Sequence, residues 1–442
     1  MGRVRTTVWA AALGTALAGV PAAAYAGESA PQPPPTYRAA DGARTIEGTP
    51  STADAPLIEA GNTYEDTIGP GDRLYRLVLE QDGSDAYVSA VLRPPAGAKV
   101  SGSDGVAVEL MTTAGRSCPA SMGRATFGYD AVPLAAAGVR RGSEDGDCAP
   151  AGVYYAKVTR TSAKGSDQSP WPIELKVQRE PGRGPGAPTT APSGWPTGAP
   201  SLPGTEAVGR AGGTSFNDAR ALGAGVWRDE MRPGQTRWYR VPLDWGQRLG
   251  LGAELSAAKK TKDYTSASGG LSVRLYSPFR GPVSGKDVSY DGVQAGLTLE
   301  KTAPVDYGNR FSGDRGVRPV SVAGWYYVAV TMGAKVADFT EDAVPVPLTL
   351  RLEVTGTAAK GPAYKEDPAS GGFAVGADDR TAAREGLTAP EAAEAAGTRS
   401  LMRVVAGAGF GTGALLLAVL GGWVLLGRRD RGAGPSLPGR AG

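Results

Sequence analysis

The chain has 442 residues, two of them cysteine and none histidine, and its charges nearly cancel at +3. The missing His excludes Ser-His-Asp and Cys-His catalysis and every His-containing zinc site. A near-neutral balance leaves no electrostatic case for nucleic acid, and the abundance of Ala, Gly and Arg is that of a high-GC bacterial protein.

At the N-terminus, Arg3 and Arg5 precede an uncharged run from Thr6 to Val20, then Pro21 and the small-x-small site Ala24-Tyr25-Ala26. This pattern predicts a signal peptide over 1–26. Its apolar run of about 15 residues falls short of the roughly 20 that a spanning helix needs. Residues 27–50 read as a flexible lead-in.

One β pattern follows twice, over 51–180 and 214–355. The first copy carries Tyr64-Glu65-Asp66, Leu74-Tyr75-Arg76 and Gly152-Val153-Tyr154-Tyr155. The second carries Trp227-Arg228-Asp229, Trp238-Tyr239-Arg240 and Gly324-Trp325-Tyr326-Tyr327. Matched anchors at similar separations indicate duplication. Within each copy, apolar residues alternate with polar ones, as in Tyr154/Ala156/Val158, Ile173/Leu175/Val177 and Leu348/Leu350/Leu352. Such short runs between Gly and Pro turns predict antiparallel β-sandwiches or jelly rolls with one buried face. Arg76, Glu109, Lys157, Glu174 and Lys176 are then expected in water. Tyr154-Tyr155 and Tyr326-Tyr327 are expected to pack in the core or at its rim rather than to form a platform for sugar rings.

Cys118 and Cys148 are expected to pair in an oxidising compartment. Closing that loop adds roughly 3–4 kcal/mol in the chain-entropy model. Glu144, Asp145 and Asp147 beside Cys148 offer oxygens of the kind calcium takes, but no D-x-D-x-D-G pattern is present, and a solvated acidic loop is the plainer reading. Ser256-Ala257-Ala258-Lys259 matches the S-x-x-K of penicillin-recognising enzymes, yet it follows a strand pattern and has no K-T-G partner.

The Pro/Gly-rich stretch 181–213 reads as an extended linker that uncouples the copies. Residues 356–403, poor in large apolar residues, read as a flexible stalk, with a short helix at Ala389 to Ala396.

Val404 to Gly427 is uncharged over 24 residues. A helix of that length reaches about 36 Å, enough to cross a hydrocarbon core of roughly 30 Å. Arg428, Arg429 and Arg431 follow and assign the tail 428–442 to the cytoplasm. The pairs Gly407/Gly411 and Gly409/Gly413 have the G-x-x-x-G spacing that lets two membrane helices pack as a homodimer.

The modules resemble bacterial pre-peptidase C-terminal domains. The resemblance rests on Asn217-Asp218-Ala219-Arg220-Ala221-Leu222, Trp238-Tyr239-Arg240, Leu271 to Leu275 and Gly324-Trp325-Tyr326-Tyr327, with Ala55-Pro56-Leu57, Leu74-Tyr75-Arg76 and Gly152-Val153-Tyr154-Tyr155 in the first copy. It implies jelly-roll-like sandwiches in an accessory or binding role. The Asp usual before the aromatic strand is displaced to Asp72 or replaced by Gln235, and no peptidase domain precedes the modules.

Together these features predict a plasma-membrane protein with one span, an extracellular ectodomain, no cofactor and no catalytic residues. Its modules would bind an envelope polymer, a ligand or another exported protein. An accessory role in a membrane assembly, and a hydrolase working with carboxylates alone, are the competing readings.

Overall fold

The computed structural model describes residues 37–80, 83–118, 123–142, 146–192, 194–196, 198–263, 265–341 and 344–429; in the last helix, side chains at 400, 401, 403–412 and 424–429 are excluded. The expected signal peptide and the tail beyond residue 429 lie outside these residues.

The strands of the described residues form two ten-strand sandwiches. The first contains β1 (Arg44–Thr45), β2 (Leu57–Ile58), β3 (Thr63–Ile68), β4 (Gly71–Leu79), β5 (Asp85–Leu92), β6 (Gly105–Thr112), β7 (Gly123–Thr126), β8 (Leu134–Arg140), β9 (Gly152–Thr161) and β10 (Trp171–Glu180). The second contains β11 (Val208–Gly209), β12 (Arg220–Ala221), β13 (Gly225–Met231), β14 (Thr236–Leu243), β15 (Arg248–Leu255), β16 (Ala267–Tyr276), β17 (Pro282–Tyr290), β18 (Ala295–Leu299), β19 (Gly324–Met332) and β20 (Val346–Thr355).

The first sandwich pairs sheets β1-β3-β10-β5-β8 and β2-β4-β9-β6-β7. The second pairs β11-β13-β20-β15-β18 and β12-β14-β19-β16-β17, which is the same order shifted by ten strands. Duplication therefore extends to every strand.

The repeat anchors are structural ties. In the first copy the Tyr75 hydroxyl donates to Asp66 Oδ2 at 2.7 Å, and Gly48 N–H donates to the same oxygen at 2.7 Å. In the second, Tyr239 donates to Asp229 Oδ2 at 2.6 Å and Gly212 N–H at 2.8 Å. Each tie fastens the lead-in segment and the two facing sheets through one buried carboxylate. A Cβ on Gly48 or Gly212 would press within 2.6–2.8 Å of the Tyr ring, so the approach requires glycine. Tyr154 and Tyr326 add a second matched tie, donating to the carbonyls of Pro150 and Val322.

Strand β9 alternates as its sequence predicts, with Tyr154, Ala156 and Val158 buried and their neighbours more open. Strands β5 and β8 do not: every residue of Asp85–Leu92 and Leu134–Arg140 is buried. The reason is that the outer face of the sheet β1-β3-β10-β5-β8 is covered by the sheet β12-β14-β19-β16-β17. Val91 and Ala135 pack with Phe216, Trp238, Tyr276 and Tyr327, while Tyr87, Ala137 and Val139 pack with Phe279, Val322 and Phe373. Four sheets are thus stacked into one body.

Two arginines from the second sandwich cross this junction. Arg310 Nη1 lies 2.6 Å from Asp85 Oδ2 and its Nη2 2.8 Å from Glu180 Oε1, with all three side chains at most 3% exposed. Arg280 Nη1 lies 2.6 Å from Glu174 Oε1. Glu174 also accepts from Tyr37, Ala40 N–H and Asn217. Burial opposes its charge, yet Arg280 and these donors hold the carboxyl below the usual range.

Several expectations need correction. Glu109 is buried and paired with Lys157 rather than in water, and the lead-in is not flexible over 37–50, where Arg44–Thr45 pairs with β3 and Tyr37 and Ala40 bond to Glu174. Glu174 is fully buried rather than in water, because alternation shows which face turns away from a strand's own sandwich and not whether another sheet covers it. The 181–213 stretch does not uncouple the modules. It lies pinned along the second sandwich, where Pro196 and Pro203 carbonyls accept from Arg248 and Arg351, and Ser201 N–H donates to Glu353.

Nor is the region after β20 a free stalk up to residue 388. Tyr364 donates to Glu180 at 2.7 Å, and Phe373 is wholly buried between the modules, its ring 5.2 Å from Tyr87. Helix α1 (Ala377–Glu385) then docks through Asp379, which accepts from Trp325 Nε1 at 3.0 Å, and through Arg380, paired with Asp244. Helix α2 (Ala389–Arg429) begins at a Thr388/Glu391 capping box, and Glu391 also pairs with Arg220. The helix expected at Ala389 to Ala396 is thus the first part of a much longer one.

Leu415, Leu416, Leu417, Val419, Leu420 and Trp423 on α2 are 55–79% exposed. Among the described residues, no helix is long and apolar enough to cross a membrane.

Candidate binding cleft between the modules

The junction opens on one side into a cleft of about 640 Å³, within the range of small-ligand sites. Five segments build it, with Ser117 and Cys118 before β7 at its margin. Strands β7 and β8 of the first module supply Arg124, Ala137 and Val139, and the turn after β16 supplies Phe279. The 312–320 loop of the second module supplies Arg315 and Arg318.

The turn 277–281 is unusually constrained. Ser277 N–H donates to Gly281 O at 2.9 Å, and Arg280 N–H donates back to Ser277 O at 2.8 Å. Closing it so tightly puts Arg280 at φ 60°, among the described residues the lone non-glycine with positive φ. Such a conformation costs of order 1–3 kcal/mol. What offsets it is the reach of two neighbours: Arg280 meets Glu174, and Phe279 stacks on Tyr87 with centroids 4.4 Å apart. Phe279 thereby forms an apolar floor held rigidly by both modules.

The walls are basic. Arg318 Nε and Nη2 both donate to Ser312 O at 3.1 Å, leaving Nη1 for the cleft. Arg124 makes one long bond to Ser103 O at 3.3 Å, and Arg315 is exposed. Asp314, in the same loop, spends its carboxylate on Gly316 N–H at 2.7 Å. No Asp or Glu lines the cleft among the described residues. Arg141, at the rear, is committed to Asp85.

A second perturbed group lies on the other side of the junction. Lys176, beside Arg280, is drawn down to about 7 by burial and by that guanidinium.

The structure distributes the residues singled out in the sequence as follows. Cys118 and Cys148 form a disulfide, and Cys118 lies at the cleft margin. Asp147 pairs with Arg116 at 2.8 Å, while Glu144 and Asp145 fall outside the described residues. Among the described residues, no cluster of three metal-binding side chains is present. Ser256 follows the end of β15 and Lys259 pairs with Glu341, so the S-x-x-K residues serve a strand end and a surface ion pair. Gly413 has open space around it in α2, and Gly407, Gly409 and Gly411 share that helix. Arg428 and Arg429 close it, and Arg431 lies beyond the described residues.

Arg124, Phe279, Arg315 and Arg318 were not singled out by the sequence pattern. A signal exists in Gly313-Asp314-Arg315-Gly316-Val317-Arg318, a loop with two arginines, but its facing wall comes from the other copy.

No family model and no curated protein matches the chain. Solved structures give distant likenesses. The pre-peptidase C-terminal domain of a Bacillus anthracis collagenase aligns with 28% of this chain and 95% of that one, at 16% identity and a TM-score of 0.19. The ANXUR2 extracellular domain from Arabidopsis thaliana aligns over 69% and 86%, at 9% identity and 0.19. The CBM22-1–CBM22-2 tandem domain of Paenibacillus barcinonensis Xyn10C aligns over 68% and 92%, at 13% identity and 0.17. At these scores the likenesses to the chain's β-sandwiches are weak and lie at the level of fold.

Proposed function

We propose that the chain is a non-enzymatic, membrane-anchored cell-surface protein whose two sandwiches form one binding head. In this reading α2 carries the single span at 404–427, the head stands outside the plasma membrane, and the 428–442 tail is cytoplasmic. The observation that carries the binding role is the cleft, whose floor and walls come from both modules and exist only because these are docked. Support for the span comes from the exposed Leu415, Leu416, Leu417, Leu420 and Trp423 and from the arginines at the helix end.

The test is retention of detergent-purified full-length chain on native cell envelopes, compared with a Pro319→Trp variant that fills the half-exposed cleft rim. The reading expects retention by the natural chain and its loss in the variant. Equal retention by both, or hydrolysis of envelope material by the purified chain, would overturn it.

An assembly role has one observation in its favour. The head is clipped to the start of α2 through Arg220–Glu391 and to the turn before it through Ala221 N–H to Leu387 O, so movement of the helix would be passed to the head. Pairing of α2 through Gly407/Gly411 and Gly409/Gly413 belongs to this second reading.

A further inference from the structure

We infer that the inter-module cleft takes an anionic ligand: a phosphate- or carboxylate-bearing group attached to a compact body that rests against Pro282 and Pro319. The inference rests on the binding role proposed above and adds the chemistry of what is bound. Three guanidiniums, Arg124, Arg315 and Arg318, converge on one concave space from two modules. Guanidinium presents planar paired donors that match carboxylate and phosphate oxygens. Elsewhere at the junction each arginine is matched: Arg141 and Arg310 by Asp85, Arg280 by Glu174. The three cleft arginines have no ion pair among the described residues; Arg318 is braced by a backbone carbonyl and Arg124 is held by one long bond. Asp314, the acidic group nearest in sequence to Arg315, is turned to its own loop.

The apolar margin narrows the class further. Phe279, stacked on Tyr87, is only 3% exposed and shapes the base of the cleft, while the half-exposed Pro282 and Pro319 supply the apolar surface. A bare inorganic anion would leave those prolines uncovered. A sugar-sized unit carrying a negative group would engage both the basic walls and this margin. The same chemistry could come from a free small molecule or from one unit of an anionic envelope polymer, and the experiment separates these sources.

The experiment is titration calorimetry of the full-length chain in detergent, at low salt, with glucose 6-phosphate, glucuronate and uncharged glucose as probes. Natural envelope fragments, with and without chemical removal of their phosphate, form a second arm. Arg315→Glu and Arg318→Glu each remove one charged hydrogen-bonding group, worth about a tenfold to hundredfold loss of affinity. Arg228→Glu, exposed on β13 in the sheet farthest from the junction, serves as the control.

The inference expects binding of at least one charged sugar, none of glucose, weakening by both cleft reversals and by added salt, and no change in Arg228→Glu. Binding of the fragments but not the sugars, lost on phosphate removal and in the cleft reversals, would assign the anion to the polymer and support the same inference. Equal binding of glucose and its charged relatives, no binding in either arm, or equal loss in the control, would overturn it. If Pro319→Trp abolishes envelope retention while Arg315→Glu and Arg318→Glu leave it intact, the cleft binds and its ligand is not anionic. The two readings therefore fail separately.

Discussion

Replacing Arg310 by Met removes the cation that two buried carboxylates share while keeping most of the side-chain volume. Asp85 and Glu180 would then face each other at a junction where both are at most 3% exposed. Breaking a buried ion pair from one side typically costs about 3–5 kcal/mol. Arg310 meets two acids, so the upper end of that range is expected. The cost should fall on docking rather than on either sandwich core, because Asp85 and Glu180 lie on the outer face of their sheet. Urea unfolding of the natural chain should show one transition for the head, and R310M should show two.

Acidity provides an internal check. Burial already raises Asp85 above its usual range, with Arg310 opposing the rise. Without Arg310, the folded-state value of Asp85 should rise further above its unfolded value. A carboxyl raised in this way adds stability when protonated and loses it as pH rises through the folded value. The R310M deficit should therefore shrink as pH falls from about 7 towards 5. Adding Glu180→Gln to R310M should recover much of the loss, since the carboxylate that remains, Asp85, keeps its ion pair with Arg141. A loss below about 1 kcal/mol in R310M, as for an exposed pair, would refute the claim that these charges hold the modules together.

Lys176→Met should stabilise the head at pH 6. The Lys176 value of about 7 lies below its unfolded value of about 10.4, so the unfolded chain binds the extra proton across that window and natural stability should climb between pH 7 and 10. The variant should lack that slope; melts at pH 6, 8 and 10 would reveal it. Phe373→Ala, at a wholly buried ring, should cost about 3–5 kcal/mol and open residues 361–388 to protease, as limited digestion would show. Cys118→Ser should cost roughly 3–4 kcal/mol, and its effect should reach the second module through the junction, as hydrogen exchange in β14 and β16 would report.

Much of this architecture is legible in the sequence because each sandwich is written in local terms. Period-2 alternation in β9 and β20, the paired Tyr64-Glu65-Asp66 and Trp227-Arg228-Asp229, and the Gly-aromatic starts of β9 and β19 all report on a strand's own sandwich. The docking is not local. Glu174, Asp85 and Glu180 sit in strands whose polar positions resemble any solvent-facing row, and only the opposing Arg280 and Arg310, more than 100 residues away, explain their burial. Uniform burial of β5 and β8 is hinted at by Ala135 and Ala137, whose small side chains on the outer face let a second sheet approach. The docking of residues 361–388 is hard to read because its ties, the Phe373 ring and the bonds of Tyr364 and Asp379, are scattered through a stretch poor in large apolar groups. The cleft was missed for the same reason as the junction that makes it.

The most direct test of a shared binding head is hydrogen exchange of the full-length chain with and without native envelope fragments. The account predicts new protection in three segments at once: β7, the 277–282 turn and the 312–319 loop, contributed by both modules. Protection confined to one module, or on the outer sheet β11-β13-β20-β15-β18 instead, would contradict it.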